Sequence, residues 1–154
     1  MKTNKLTKSG LVIALYVVIM YLTQGFAFLQ YQIRIATALY ALAYVYPYLA
    51  IPLALANSLS NLLLGSLGLL DVVGGFGVGL IVTGLIILIR KFKLDYRLVF
   101  IPILAIGAIV PLWLKIILNI PYLPLLISIT IGQIIPAFVG AWLVGYILRN
   151  NREN

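Results

Sequence analysis

The 154-residue chain contains no cysteine and no histidine. Their absence excludes disulfides, Cys or His metal sites, Cys/His catalysis and a Ser-His-Asp triad. Acids are almost missing too: three Asp and Glu stand against eleven Lys and Arg, for a formal charge of +8. Charged residues of both signs make up 9% of the chain and hydrophobic residues 64%, whereas soluble domains carry roughly a quarter charged residues. The solvent that suits such a chain is lipid. A bilayer core about 30 Å thick takes roughly 20 apolar residues per helix, so a chain of this length crosses at most about six or seven times. The basic residues fall in short clusters beside apolar runs. They therefore mark membrane orientation, and no nucleic-acid partner is expected.

Lys2, Lys5 and Lys8 followed by an apolar run from Leu11 to Leu22 imitate a signal peptide. The residues beyond, Gly25, Phe26, Ala27 and Phe28, offer no small-x-small cleavage site, and hydrophobicity continues. An uncleaved first helix is expected. Cutting the apolar stretches at Pro, Gly and polar punctuation predicts helices over 9–28, 32–45, 48–64, 69–89, 98–118 and 122–148. Tyr46-Pro47-Tyr48 and Gly65-Ser66-Leu67-Gly68 supply two of the breaks. Basic residues gather at Lys2, Lys5 and Lys8, at Arg90, Lys91, Lys93 and Arg97, and at Arg149 and Arg152. All three groups lie on the cytoplasmic side only if even numbers of crossings separate them. The expectation is therefore an all-α integral membrane protein of the cell membrane, one domain over 1–154, with six transmembrane helices and both termini cytoplasmic.

Polar side chains inside such a bundle are costly unless they face a cavity or one another, which makes each a candidate site residue. Gln24 falls late in the first helix, and Gln32, Arg34 and Thr37 open the second. Asn57 and Asn61 share one face of the third, Asp71 opens the fourth, Lys115 and Asn119 end the fifth, and Gln133 lies roughly 15 Å into the sixth. In the predicted topology all of these lie in the outer half, which suggests a pocket open to the outside and closed to the cytoplasm. Plainer readings stand beside this one. Arg34 and Asp71 can form a structural ion pair, Lys115 can snorkel, and Asn57 and Asn61 can be interhelical glue.

Ten Tyr and two Trp suit interfacial belts, Tyr40, Tyr44, Tyr46, Tyr48, Tyr122 and Trp142 among them. Phe26, Tyr31 or Trp113, beside the polar set, can stack on a planar ligand. Gly75-Phe76-Gly77-Val78-Gly79 is a GxxxG pattern suited to close helix packing, and no Lys-Ser/Thr follows to make it a phosphate loop. No set of nucleophile, base and metal ligands converges, so no enzyme is expected.

On Gln32-Ile33-Arg34-Ile35-Ala36-Thr37-Ala38-Leu39, on Asn61 through Gly68-Leu69-Leu70-Asp71-Val72-Val73, and on Ile131-Gly132-Gln133, the chain resembles the QueT family. These are substrate-binding S components of energy-coupling-factor transporters for queuosine precursors. The resemblance implies a six-helix subunit that binds a 7-deazaguanine base from outside and associates with a transmembrane coupling subunit and two ATPases. ATP would be used by those partners, with no cofactor in this chain. It implies substrate contacts among Tyr31, Gln32, Arg34, Thr37, Asn57, Asn61, Asp71, Trp113 and Gln133. It also implies a small-residue face for partner docking, here Gly10 and Ala14. Family members carry Glu where this chain has Thr37 and Gln133, which leaves Asp71 as the only carboxylate in the membrane region and favours a neutral base over an aminomethyl cation. A proton-coupled secondary transporter of a small planar solute, with Asp71 as the carrier, is the alternative, as is an S component for another vitamin-like ligand.

Overall fold

The computed structural model describes residues 2–28, 32–65 and 67–151, and among them no strand occurs. Helix α1, Lys2–Leu22, starts well before residue 9 because the leading lysines are good helix formers. It ends at Thr23, whose hydroxyl donates to the Ile19 carbonyl at 2.7 Å and so competes with the backbone ladder. A single turn, α2 (Gln24–Ala27), follows. The expected second crossing over 32–45 needs correction. Residues 32–34 are not helical, Ile35–Ala41 is a 3-10 helix, and only α3, Leu42–Val45, is α-helical. Buried Ala36, Ala38, Ala41 and Ala43 let this backbone press against its neighbours.

After a 3-10 turn at Pro47–Leu49 come α4 (Ala50–Leu64) and α5 (Leu69–Lys91). Between them Gly68 holds φ +86, a left-handed conformation that a side chain would strain. The single helix expected over 98–118 is divided into a 3-10 start at Tyr96–Val99, α6 (Phe100–Ile109) and α7 (Pro111–Leu118). Pro111 has no N–H to give the Gly107 carbonyl, and the α-helical run is interrupted there. The last helix, α8, is Tyr122–Asn150.

Among the described residues five stretches are long and apolar enough to cross a membrane: Thr3–Leu22, Pro47–Leu64, Leu69–Lys91, Tyr96–Leu118 and Tyr122–Asn150. Ile35–Val45 is apolar but shorter. The molecule is inverted relative to a soluble protein. Leu11, Ile51, Ile81, Ile116 and Phe138 are exposed, while Arg34, Asn57, Asn61, Asp71 and Gln133 are buried. That distribution matches a surrounding of hydrocarbon.

Glycines mark the closest helix approaches. A Cβ on Gly79 would lie 2.7 Å from Ala54 Cα, and one on Gly140 would lie 3.1 Å from the Ala38 carbonyl oxygen. The first docks α5 on α4, as the GxxxG pattern predicts; the second seats the 3-10 segment on α8. Contacts also define the two ends of the bundle. Lys8 lies over the Tyr46 ring, Arg90 donates to the Tyr44 and Val45 carbonyls, and Tyr96 rests on Gly145. Lys8, Arg90, Arg97 and Arg149 thus share one end, and Arg34, Asn57, Asn61, Asp71 and Gln133 gather toward the other.

Candidate functional site

The 3-10 segment explains how the site is built. With three residues per turn, positions three apart lie in line, so Arg34, Thr37 and Tyr40 fall on one face. An α-helix would spread the same three residues over an arc of about 120°. Arg34 sits at the N-terminal cap of this segment and is 5% exposed. Its Nη1 donates to Asn57 Oδ1 at 3.3 Å and to Asn61 Oδ1 at 3.0 Å, its Nε lies 3.4 Å from the Ala27 carbonyl oxygen, and the guanidinium stands 5.0 Å from the Phe28 ring centroid. The cation is thus held by neutral oxygens and a ring face in place of a carboxylate.

Asn57 and Asn61, one α-helical turn apart, use their other ends on α5. Asn57 Nδ2 donates to the Gly75 carbonyl at 2.9 Å and Asn61 Nδ2 to the Asp71 carbonyl at 3.0 Å. A Cβ on Gly75 would lie 2.6 Å from Asn61 Nδ2, so glycine there is what lets the amides reach α5. The glue reading of the two asparagines therefore holds, and the same contacts orient both side-chain oxygens toward Arg34.

Thr37 ties in α8. Its Oγ1 lies 2.7 Å from the Arg34 carbonyl and 2.9 Å from Gln133 Oε1, and its one hydrogen serves one of these acceptors at a time. Gln133 Nε2 reaches the Gln32 carbonyl at 3.3 Å. Gln32 itself has φ +42, uncommon for a non-glycine residue.

Asp71, in the first turn of α5, is 2% exposed. Its Oδ1 accepts the Trp113 indole N–H at 3.0 Å. The indole lies flat over Gly74, where a Cβ would come within 2.5 Å of Trp113 Cε2. Gly74 is thus the reason Trp113 can reach Asp71.

Four buried polar atoms have no hydrogen-bond partner among the described residues: Arg34 Nη2, Asp71 Oδ2, Tyr40 Oη and Tyr16 Oη. Tyr16 and Tyr40 stack at 6.0 Å, and the Tyr40 hydroxyl is close enough to Gly79 that a Cβ there would lie 3.3 Å from it. A buried, unsatisfied group costs about 1–3 kcal/mol. Here a cationic donor and a carboxylate acceptor within one network both lack a hydrogen-bond partner among the described residues.

Of the residues expected to bind substrate, Gln32, Arg34, Thr37, Asn57, Asn61, Asp71, Gln133 and Trp113 are brought together, while Tyr31 lies outside the described residues. Phe26 is 63% exposed, and Phe28 takes the ring position beside Arg34. Gln24, Lys115 and Asn119 are exposed. Tyr40, expected in an interfacial belt, is fully buried, and so is Tyr16, which no sequence pattern singles out. The i, i+3, i+6 spacing of Arg34, Thr37 and Tyr40 is the signal that finds Tyr40 once a 3-10 helix is considered. Gly10 and Ala14 lie on an exposed stripe of α1, with nothing within 4 Å of a Cβ on Gly10.

Comparison with curated proteins and with solved structures finds no significant match. The family model described as QueT transporter matches residues 6–150. The match spans nearly the whole chain, with all of the buried polar network inside it, and the chain belongs to the QueT transporter family.

Proposed function

We propose that this protein is the substrate-binding S component of an energy-coupling-factor transporter and that it captures a queuosine precursor or related 7-deazapurine base. The observation that carries the proposal is a pair of buried atoms without a hydrogen-bond partner among the described residues, Arg34 Nη2 and Asp71 Oδ2, within one network. A deazaguanine offers a carbonyl oxygen beside ring and exocyclic N–H groups. Arg34 donates to the carbonyl, Asp71 accepts the N–H groups, and Asn57, Asn61, Thr37, Gln133 and Gln32 hold these two in position. Trp113 keeps Asp71 oriented, and Phe28 or Trp113 supplies an aromatic face. With one carboxylate and a buried arginine already in the site, a neutral nitrile such as 7-cyano-7-deazaguanine suits it better than an aminomethyl cation.

In this proposal the chain crosses six times, with both termini and the basic end cytoplasmic. The short second pass reaches across because it is stretched. Seven residues in a 3-10 helix at about 2.0 Å and four in an α-helix at about 1.5 Å span roughly 20 Å, and the non-helical residues 32–34 carry the chain further. The open Gly10 and Ala14 stripe docks a transmembrane coupling subunit, and two partner ATPases supply the energy. Titration calorimetry of the purified protein tests the ligand assignment. The nitrile base is expected to bind at least tenfold more tightly than the aminomethyl base, and the reverse order would overturn the choice of a neutral ligand. Uptake into vesicles should require the ATPase module; uptake by this chain alone would replace the S-component assignment with secondary transport.

A further inference from the structure

At the basic end, away from the buried polar network, the start of the Tyr96–Leu118 stretch and the end of α8 enclose a groove of about 560 Å3. Its base is made possible by Gly145. A Cβ there would lie 3.0 Å from Tyr96 Cε2, so the tyrosine ring rests directly on α8. Aromatic pairs form the walls, Phe100 against Phe138 at 4.8 Å and Trp142 stacked on Tyr146 at 5.7 Å. Phe138 and Trp142 are 64% and 67% exposed, an extent that makes sense for rings turned toward acyl chains. Arg97 and Arg149 border the same groove, and both are exposed. Asp95 is the one nearby acid among the described residues; its Oδ1 accepts the Arg97 backbone N–H at 2.8 Å as a helix cap. Arg90, Lys91 and Lys93 keep this end positive around it.

The dimensions point to the occupant. From Phe138 to Arg149 the groove follows α8 for about 16 Å at 1.5 Å per residue, which is about half of a 30 Å hydrocarbon core. One leaflet's acyl chain has that reach, and the two guanidiniums stand at the end where its phosphate would lie. We propose that this groove seats one anionic phospholipid, with its phosphate between Arg97 and Arg149 and one acyl chain along the Phe138, Trp142 and Tyr146 face. Basic pockets between transmembrane helices recognise acidic headgroups in this way. The site is independent of the Arg34 and Asp71 network and does not rest on the identity of the transported solute.

Native mass spectrometry of the full chain, released from micelles doped with equal amounts of phosphatidylglycerol and phosphatidylcholine, tests the proposal. One phosphatidylglycerol is expected to remain bound, with about tenfold preference over phosphatidylcholine. Arg97→Gln/Arg149→Gln should bring the two lipids near parity, and Ala141→Trp should block retention by filling the groove while leaving both arginines. Far-UV circular dichroism checks the fold of each, and if one variant unfolds the other decides. Equal retention of both lipids by the unaltered protein, preference that survives in a folded variant, or a dimer in place of the lipid adduct would overturn the assignment. Inorganic phosphate in place of lipid should leave no adduct; retention matching that of phosphatidylglycerol would make this a simple anion site and also overturn it.

Discussion

Arginine and tyrosine occur both at the basic end of the bundle and in its buried interior, yet the two regions treat them oppositely. At the basic end Arg90 is exposed and caps the Tyr44 and Val45 carbonyls at 3.1 and 2.8 Å, while Lys5 and Lys8 sit 5.5 and 5.6 Å over the Tyr48 and Tyr46 rings. Exposed contacts of this sort are screened and contribute about 0–1 kcal/mol each. In the interior Arg34 is buried on two asparagine oxygens, and Tyr16 and Tyr40, stacked near the middle of the bundle beside Gly79, are wholly buried. There every unmatched group costs more than a surface pair returns. On the proposed reading, the basic end orients the protein, whereas the buried network offers hydrogen-bonding capacity to a solute.

Substitutions in the two regions should separate these roles. Arg34→Leu is expected to have the largest effect. It removes the proposed ligand donor and strands the Asn57 and Asn61 oxygens, so binding of 7-cyano-7-deazaguanine should fall by about a hundredfold and the melting temperature should drop as well. Asp71→Asn keeps the shape but removes the charge, and fluorescence-detected titration should show binding weakened about tenfold or more, at roughly 1.4 kcal/mol per decade. Unchanged affinity would remove Asp71 from the site. Gly74→Ala puts a Cβ 2.5 Å from Trp113 Cε2 and must push the indole off Asp71. A several-fold loss of affinity, with a shifted tryptophan emission spectrum, is the expected readout. Tyr40→Phe removes a buried hydroxyl that has no partner among the described residues, so the melting temperature without ligand should stay level or rise, by about 1 kcal/mol at most in stability. A drop of several degrees would mean that the hydroxyl is satisfied. Arg90→Gln, at the exposed end, should change stability by no more than about 0.5 kcal/mol and leave affinity as it was.

The long apolar helices and the polar set were legible in the residues because lipid imposes a coarse rule: unbroken hydrophobic length, with polar exceptions turned inward. Finer features depended on packing. Nothing in the apolar pattern distinguishes a 3-10 run at Ile35–Ala41 from an α-helix, since the segment is buried almost all round and lacks an amphipathic period. That missed geometry is why Tyr40 was expected at the membrane surface. The division between α6 and α7 falls at Pro111, where the apolar residues on both sides supply no polar punctuation to mark it. Phe26 and Phe28 are interchangeable by composition; the turn at α2 sends one outward and leaves the other beside Arg34. The ion pair considered between Arg34 and Asp71 gave way to contacts with Asn57, Asn61 and Trp113, because the amides on α4 and the indole on α7 occupy the intervening positions.

The most direct test is calorimetric titration of 7-cyano-7-deazaguanine into the purified protein and into Asp71→Asn, Arg34→Gln and Arg90→Gln. One saturable site is predicted, weakened by either polar-end substitution and indifferent to the one at the basic end. Absence of heat with the unaltered protein, or equal weakening by Arg90→Gln, would contradict the claim that the buried Arg34 and Asp71 network holds the solute.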